Sequence, residues 1–354
     1  MNVTKQVVSS NFGDITLYKV TNKSGAFVEL SSLGAGINKI VVPNRDGELA
    51  DVALGYADAA SFMADGPCAG KTPGRYANRI ALGKIHIDGK DYQLAINNGP
   101  NHLHGGPTGF QNRIWDSAVV DDKVVFTRLS PAGEENYPGN LNVKVVYGWD
   151  DDCNLTIEYE ANTDAATFVN LTNHTYFNLD GHNAGSVLGH KLQLNCSRWL
   201  PTNDSLVPTG EMAAVENTPM DFRSLRQIGL YLGEQFATET FEFEALKFGK
   251  GYDNCFVVDN YQPGDVKEVA VLKADNSGRV LKVYTDQPAA QVYTGNWVSG
   301  CPEGKDGYEY RNYDAVAIEC QGMPDAPNKP QFPSQLLNPG EVYTRYIKYA
   351  FSFE

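Results

Sequence analysis

Apolar and polar positions alternate along this chain in short runs separated by turn residues, the period-two pattern of strands that bury one face. Runs rich in Val, Ile, Tyr, Phe and Thr span Ile15 to Val20, Ala26 to Leu33, Val119 to Arg128, Leu141 to Tyr147 and Leu155 to Tyr159. Residues of these types suit a pleated, half-buried surface, so each run predicts a strand. Two further stretches fold back on themselves. Ile85 to Tyr92 turns at Asp88-Gly89, and Val269 to Tyr284 turns at Asn276-Ser277-Gly278, which predicts hairpins and antiparallel pairing. Tyr343 to Phe353 alternates enough to be a core strand, so the last residues should be needed for folding.

Helical candidates are few and short, chiefly Asp58 to Ala64 and Leu225 to Leu232. Strands do not alternate with long helices, which argues against a doubly wound α/β fold. There is no fixed-period repeat, low-complexity tract or linker, and Pro and Gly are spread over the whole length. The pattern predicts an all-β protein, one large antiparallel β-sandwich with a few short helices, formed by residues 1–354 as a single domain.

Composition narrows the function classes. With 42% hydrophobic and 20% charged residues in 354, the chain has ample material for a large core. Acidic side chains outnumber basic ones by 43 to 29, the net charge is -14, and no Lys or Arg run interrupts that balance. Nucleic acid and anionic membrane partners are therefore not expected, and a neutral substrate suits the surface better. The six cysteines are scattered without a CxxC pair, consistent with a reduced, cytoplasmic chain. The first ten residues hold no apolar core of a signal peptide, and no stretch is long and apolar enough to span a bilayer.

Several apparent motifs fail on their own mechanics. Gly66-Pro-Cys-Ala-Gly-Lys-Thr72 has three residues between its glycines where a phosphate-binding loop needs four. The Pro73-Gly74 that follows would also break the required helix. His102-Leu-His104 would place two imidazoles on one face of a strand, but a third and fourth zinc ligand are not evident. A structural or hydrogen-bonding role is the alternative for that pair, and no metal is expected. No G-x-S-x-G marks a nucleophilic serine.

Four segments set ionisable groups among apolar strand residues and glycines: Gly74 to Ile80, Asn97 to Gly106, Asn170 to Asn178, and Ala315 to Asn328. In the last of these, Glu319 is a lone carboxylate near the end of an apolar run, just before a Gly/Pro turn. It is either a rim glutamate facing water or, if buried without a cation, a carboxyl of raised pKa suited to act as a general base. His174 lies among Asn173, Thr175, Tyr176 and Phe177, read as one strand. A satisfied core histidine is one reading; the other is a carbohydrate site, where amides and hydroxyls meet sugar hydroxyls and aromatics meet the ring face.

Taken in order, GRYANRI, NHLHGG, NLTNHTYFNL, GYDNCF, QVYTGNW and AIECQGMPDAPN resemble the aldose 1-epimerase (galactose mutarotase) family over nearly the whole chain. The resemblance implies a galactose mutarotase-like β-sandwich with an open cleft. It implies interconversion of the α and β anomers of a free hexose such as galactose or glucose, with no cofactor. By motif match Glu319 would be the general base at the C1 hydroxyl and His174 the general acid at the ring oxygen. His104 would also lie near the ring oxygen, with Asn78, Arg79, Asp253 and Gln291 holding hydroxyls. For Glu and His to coexist charged and protonated near neutral pH, the site would have to raise the His value somewhat. Trp297 stands where a phenylalanine is more usual, which bears on sugar preference. The rivals are a hexose-6-phosphate 1-epimerase, a non-catalytic carbohydrate-binding protein of the same fold, and a glycoside-cleaving enzyme with paired carboxylates. A monomer or weak homodimer is expected.

Overall fold

A computed structural model describes residues 1–232 and 243–354. Among the described residues three large sheets carry the chain, and their strands pair antiparallel throughout. A five-stranded sheet runs in sequence order from Asn2–Ser10 to Leu49–Asp51. The nine-stranded sheet holds Asp116–Val120, Lys123–Ser130, Leu141–Trp149 and Asn154–Thr163 in order, then Tyr343–Phe353, Arg279–Thr285, Lys267–Lys273, Lys191–Leu194 and Arg226–Gln227. The C-terminal strand thus joins two halves of the sheet, with Ile347 opposite Ile157 and Phe351 opposite Leu281. That is why the alternating run at the end of the sequence belongs to the core.

The third sheet has six strands, ordered Tyr176–Phe177, Val316–Gln321, Ala289–Tyr293, Asp253–Val257, Arg198–Trp199 and Ala213–Ala214. Because successive side chains point to opposite faces, one face presents Phe177, Val316, Ile318, Cys320, Val292, Ala290 and Phe256. All of these join a core shared with Val28 and Leu30 of the five-stranded sheet and Val143, Val145 and Ile347 of the nine-stranded sheet. Full burial of each large apolar side chain contributes about 1.5–3 kcal/mol. One face of the third sheet is therefore committed to the core, and the other is left for chemistry.

The antiparallel β architecture follows the alternating pattern, with two local differences. Val119 to Arg128 is not one strand: Asp121 and Asp122 both adopt positive φ, 48° and 64°, and turn Asp116–Val120 back on Lys123–Ser130. Consecutive left-handed residues make the tight turn whose twist matches a hairpin, and Asp tolerates that conformation. Leu225 to Leu232 is not an α-helix. Arg226–Gln227 pairs with Lys191–Leu192, and only a short 3-10 turn, Ile228–Tyr231, follows. The predicted helix near Asp58 is present as Ala59–Ala64, capped by the Asp58 carboxylate on the Ser61 amide. No described helix is long and apolar enough to cross a membrane.

Candidate active site

The other face of the six-stranded sheet carries Tyr176, Glu319, Gln291, Tyr293, Asp253 and Cys255. Register sets this: Glu319 lies opposite Gln291, Gln291 opposite Cys255, and Asp253 opposite Tyr293. Glu319 sits inside Val316–Gln321, flanked by strands on both sides, and is 2% exposed. It is no rim residue in water.

Two loops complete the site. Arg79–Ile80 pairs with His102–Leu103, and on either side of that short ladder Asn78 and His104 take positive φ. His104 accepts the Asn78 backbone N–H on its Nδ1 at 3.1 Å. The left-handed turn at His104 separates the two imidazoles that a regular strand would set on one face. His102 points away, bonded to the Ala95 carbonyl through Nδ1 and to the Tyr137 hydroxyl through Nε2, so it is a satisfied structural histidine. Behind this turn Gly105 has φ 78°, and a Cβ there would fall 1.7 Å from the Gly74 carbonyl oxygen.

His174 lies in the extended segment just before Tyr176–Phe177 and not in the strand itself. Its N–H donates to the Lys71 carbonyl and its carbonyl accepts from the Gly70 N–H, both at 2.9 Å. The ring stacks on Tyr176 at 4.8 Å between centroids and meets His104 edge-on at 5.3 Å. Its Nε2 stands 3.4 Å from Glu319 Oε1.

Asn78, Arg79, His104, His174, Asp253 and Glu319 all line one cleft of about 530 Å3, within the size range of small-molecule sites. Gln291 supports it from beside Asp253, donating from Nε2 to Oδ1 at 2.7 Å. Arg79 donates to Asn98 at 3.0 Å and lies 3.7 Å from Asp253 Oδ2. All seven residues singled out in the sequence are brought together. Cleft-lining groups not singled out in the sequence include Asp204, Leu206, Phe248 and Tyr293, contributed by a loop, the short helix Glu244–Gly249 and a strand distant in the chain. Trp297, stacked on Tyr293 at 6.2 Å and 42% exposed, stands at the mouth. Around the cleft, Glu319 Oε2, His174 Nδ1 and Gln291 Oε1 are buried without a hydrogen-bond partner in the protein, polar atoms whose burial carries a desolvation cost.

Burial also sets the protonation. It pushes the Glu319 carboxyl well above its usual range, assisted by the nearby Asp253 charge. It lowers the His174 imidazole to about 4, and holds His104 well below its ordinary value, with the help of His174 and Arg79. The expectation of a raised His174 value is thus reversed, because desolvation disfavours the imidazolium.

The ligand atoms of His104, His174 and Glu319 lie within 4.8 Å of one another, close enough to raise the question of a metal. The His104 tautomer counts against it. A ring nitrogen that accepts a backbone N–H leaves the proton on Nε2, whereas a metal-bound histidine donates its other ring proton outward. His104 instead offers an Nε2–H donor to the cleft. The GKT loop likewise folds as a turn capped by Asp65 on the Cys68 and Ala69 amides, and no helix follows it. All six cysteines are free thiols.

An antiparallel sandwich with a polar, aromatic-edged cleft over a buried Glu–His pair has the form of a site for a small hydroxylated ligand. Comparison with known proteins sharpens that class. The aldose 1-epimerase family model matches residues 16–350. Pig (Sus scrofa) galactose mutarotase is 39% identical over 353 residues, 98% of each chain. Escherichia coli K12 aldose 1-epimerase is 36% identical over 96% of this chain and 95% of its own. Among solved structures, the aldose epimerase homologue from C. elegans superposes with a TM-score of 0.86 at 31% identity, covering 99% of both chains. This chain belongs to the aldose 1-epimerase family; it is an isomerase, and its activity is the interconversion of the anomers of an aldose.

Proposed function

We propose that the substrate is a free hexose, galactose or glucose, and that Glu319 and His174 open and reclose its ring as base and acid. Glu319 removes the C1 hydroxyl proton while His174 Nε2 protonates the ring oxygen, with the His104 Nε2–H donating to the same oxygen. Rotation about the C1–C2 bond then exposes the other aldehyde face, and the reversed transfers close the opposite anomer. Asn78, Arg79, Asp253 and Gln291 hold hydroxyls. The observation that carries this reading is the 3.4 Å approach of His174 Nε2 to Glu319 Oε1 on the floor of the cleft, beside a second carboxyl oxygen with no protein partner.

The proton balance suits the reaction. Burial favours a neutral pair, with the proton on Glu319. Sugar hydroxyls donating to the Glu319 carboxylate from the cleft stabilise it and let that proton pass to His174. Ring opening then returns the pair to neutrality, so the site's low polarity favours the open chain. Each positioned proton-transfer group supplies about 10²–10⁴-fold in rate.

A sugar phosphate is disfavoured, because Arg79 is the lone Lys or Arg lining the cleft among described residues, and Asp204, Asp253 and Glu319 line it too. Paired carboxylates for glycoside cleavage are disfavoured because Asp253 is already engaged by Gln291 and Arg79. Residues 1–354 act as one domain, whose shared core runs from Tyr18 to Phe351. The protein works in the cytoplasm as a monomer or weak homodimer, with neither nucleic acid nor membrane as partner; its acidic balance supports that reading. Polarimetry on freshly dissolved α-D-galactose, α-D-glucose and α-D-glucose 6-phosphate tests it. Faster decay with the two free sugars is expected; acceleration of the phosphosugar alone would overturn the substrate assignment.

A further inference from the structure

Beneath the cleft lies a buried ion pair that the reaction as derived does not use. Lys71 is 1% exposed. Its Nζ donates to the Phe62 carbonyl at 2.6 Å and lies 3.5 Å from Asp65 Oδ2. Phe62 belongs to the last turn of Ala59–Ala64, whose final carbonyls need partners. Asp65 in turn accepts the amides of Cys68 and Ala69 at 2.6 and 3.0 Å. Gly34 makes room for the lysine stem: a Cβ there would fall 2.8 Å from Lys71 Cγ. The pair therefore ties one helix end, one turn and one sheet loop to a single point.

That point is the backbone that brackets His174 through its hydrogen bonds to Gly70 and Lys71. Replacing a buried ion pair by apolar groups is often neutral or stabilising, so fold stability alone does not account for it.

We propose that Lys71, held by Asp65, is a positioning residue for His174, fixing the Gly70–Lys71 backbone that bonds the histidine on both sides and adding a buried cation to its surroundings. This rests on the reading of His174 as the ring-oxygen acid. The groups that face His174 are Glu319 from Val316–Gln321, His104 from the loop after His102–Leu103, Tyr176 on its own segment and Tyr293 from Ala289–Tyr293; Lys71, whose backbone bonds His174, acts on it by charge, with Asp65 and the Cys68 thiol near that ammonium. Lys71 is the lysine among them, and its charge opposes protonation of the imidazole. It thereby helps keep the proton on Glu319 until a sugar is bound.

The test follows the His174 Cε1–H signal by 1H–13C NMR across pH, assigned as the resonance lost in His174→Ala, alongside kcat and KM by polarimetry. In wild type the ring should remain neutral down to about pH 4. In Lys71→Met the titration should move upward and kcat should fall about tenfold to a hundredfold, the order expected when a catalytic group is misplaced by about 1 Å. KM should change little, and Lys71→Arg should restore the wild-type titration. An unchanged titration or an unchanged kcat in folded Lys71→Met overturns the inference. If that variant does not fold, Asp65→Asn/Lys71→Met, which leaves no unpaired buried charge, carries the same measurements with the same outcomes. Failure of the underlying reading looks different: His174→Ala would then keep the wild-type rate.

Discussion

Glu319→Gln separates catalysis from stability at one atom. The substitution preserves shape and removes only the ability to take a proton. Losing a positioned base costs about 10²–10⁴-fold, so kcat should fall by that factor while sugar binding persists through Asn78, Arg79, Asp253 and Gln291. Stability should move the other way. Burial raises the folded-state pKa of Glu319 well above its ordinary 4.5, so the unfolded chain releases this proton more readily than the folded one. The stability the protonated carboxyl contributes is full below about pH 4.5 and is lost as pH rises toward the folded value. Glutamine carries no such liability, so the variant should melt above wild type at pH 7, with the gap closing as pH falls to 4.5. In a chain of this length each kcal/mol moves Tm by about 2 °C or less, which calorimetry resolves. Polarimetry of fresh α-D-galactose and calorimetry on the same samples give both readouts. Near-normal turnover by Glu319→Gln would falsify the base assignment, and a variant that melts below wild type at pH 7 would refute the account of burial.

The other predictions address the rest of the site. His104→Ala removes the Nε2–H donor fixed by the Asn78 amide and should lower kcat/KM about 10²–10³-fold, as loss of an oxyanion-hole donor does; an unchanged value would show that this ring does not meet the reacting oxygen. Gly105→Ala meets the Gly74 carbonyl at 1.7 Å in a left-handed residue and should cost well over about 1 kcal/mol, seen as a lowered denaturant midpoint; wild-type stability would mean that the His104 turn can shift freely. Exhaustive dialysis against a chelator should leave the mutarotation rate unaltered, since the His104 tautomer opposes metal ligation; loss of activity restored by zinc would reverse that conclusion.

Much of the architecture was legible because alternation is a local signal. The hairpin at Asp88-Gly89 and the C-terminal strand Tyr343–Phe353 stand where the pattern puts them. The break at Asp121-Asp122 is not legible in the sequence because the flanking residues on both sides suit strands, and two acidic residues do not interrupt that preference unless their φ is known. The site residues were marked by the motifs that carry them, but their electrostatics were not. Nothing local says that Tyr176, His104 and the sheet floor would strip water from His174, so the direction of its pKa shift was misjudged. The role of Lys71 was hidden for the same reason: its partners, Phe62 and Asp65, lie on a helix end and a turn whose approach only the folded chain reveals.

The reversed histidine shift also decides what kind of catalyst burial makes here. A solvated Glu–His pair would rest as two ions, and transferring charge to and from a sugar would forfeit their hydration. In this cleft hydration is already lost during folding, and Glu319 Oε2 has no protein partner, so under the proposed roles the ionic form depends on hydroxyls that a bound sugar brings to the carboxylate. On that proposal the charged pair forms where a substrate is in place to discharge it. Since both anomers close through the same neutral intermediate, the site needs no bias toward either product. Asp253 and Arg79 bear on this balance in opposite senses, Asp253 raising the Glu319 value and Arg79 lowering it, and their mutual approach at 3.7 Å keeps the net effect on the carboxyl small beside that of burial.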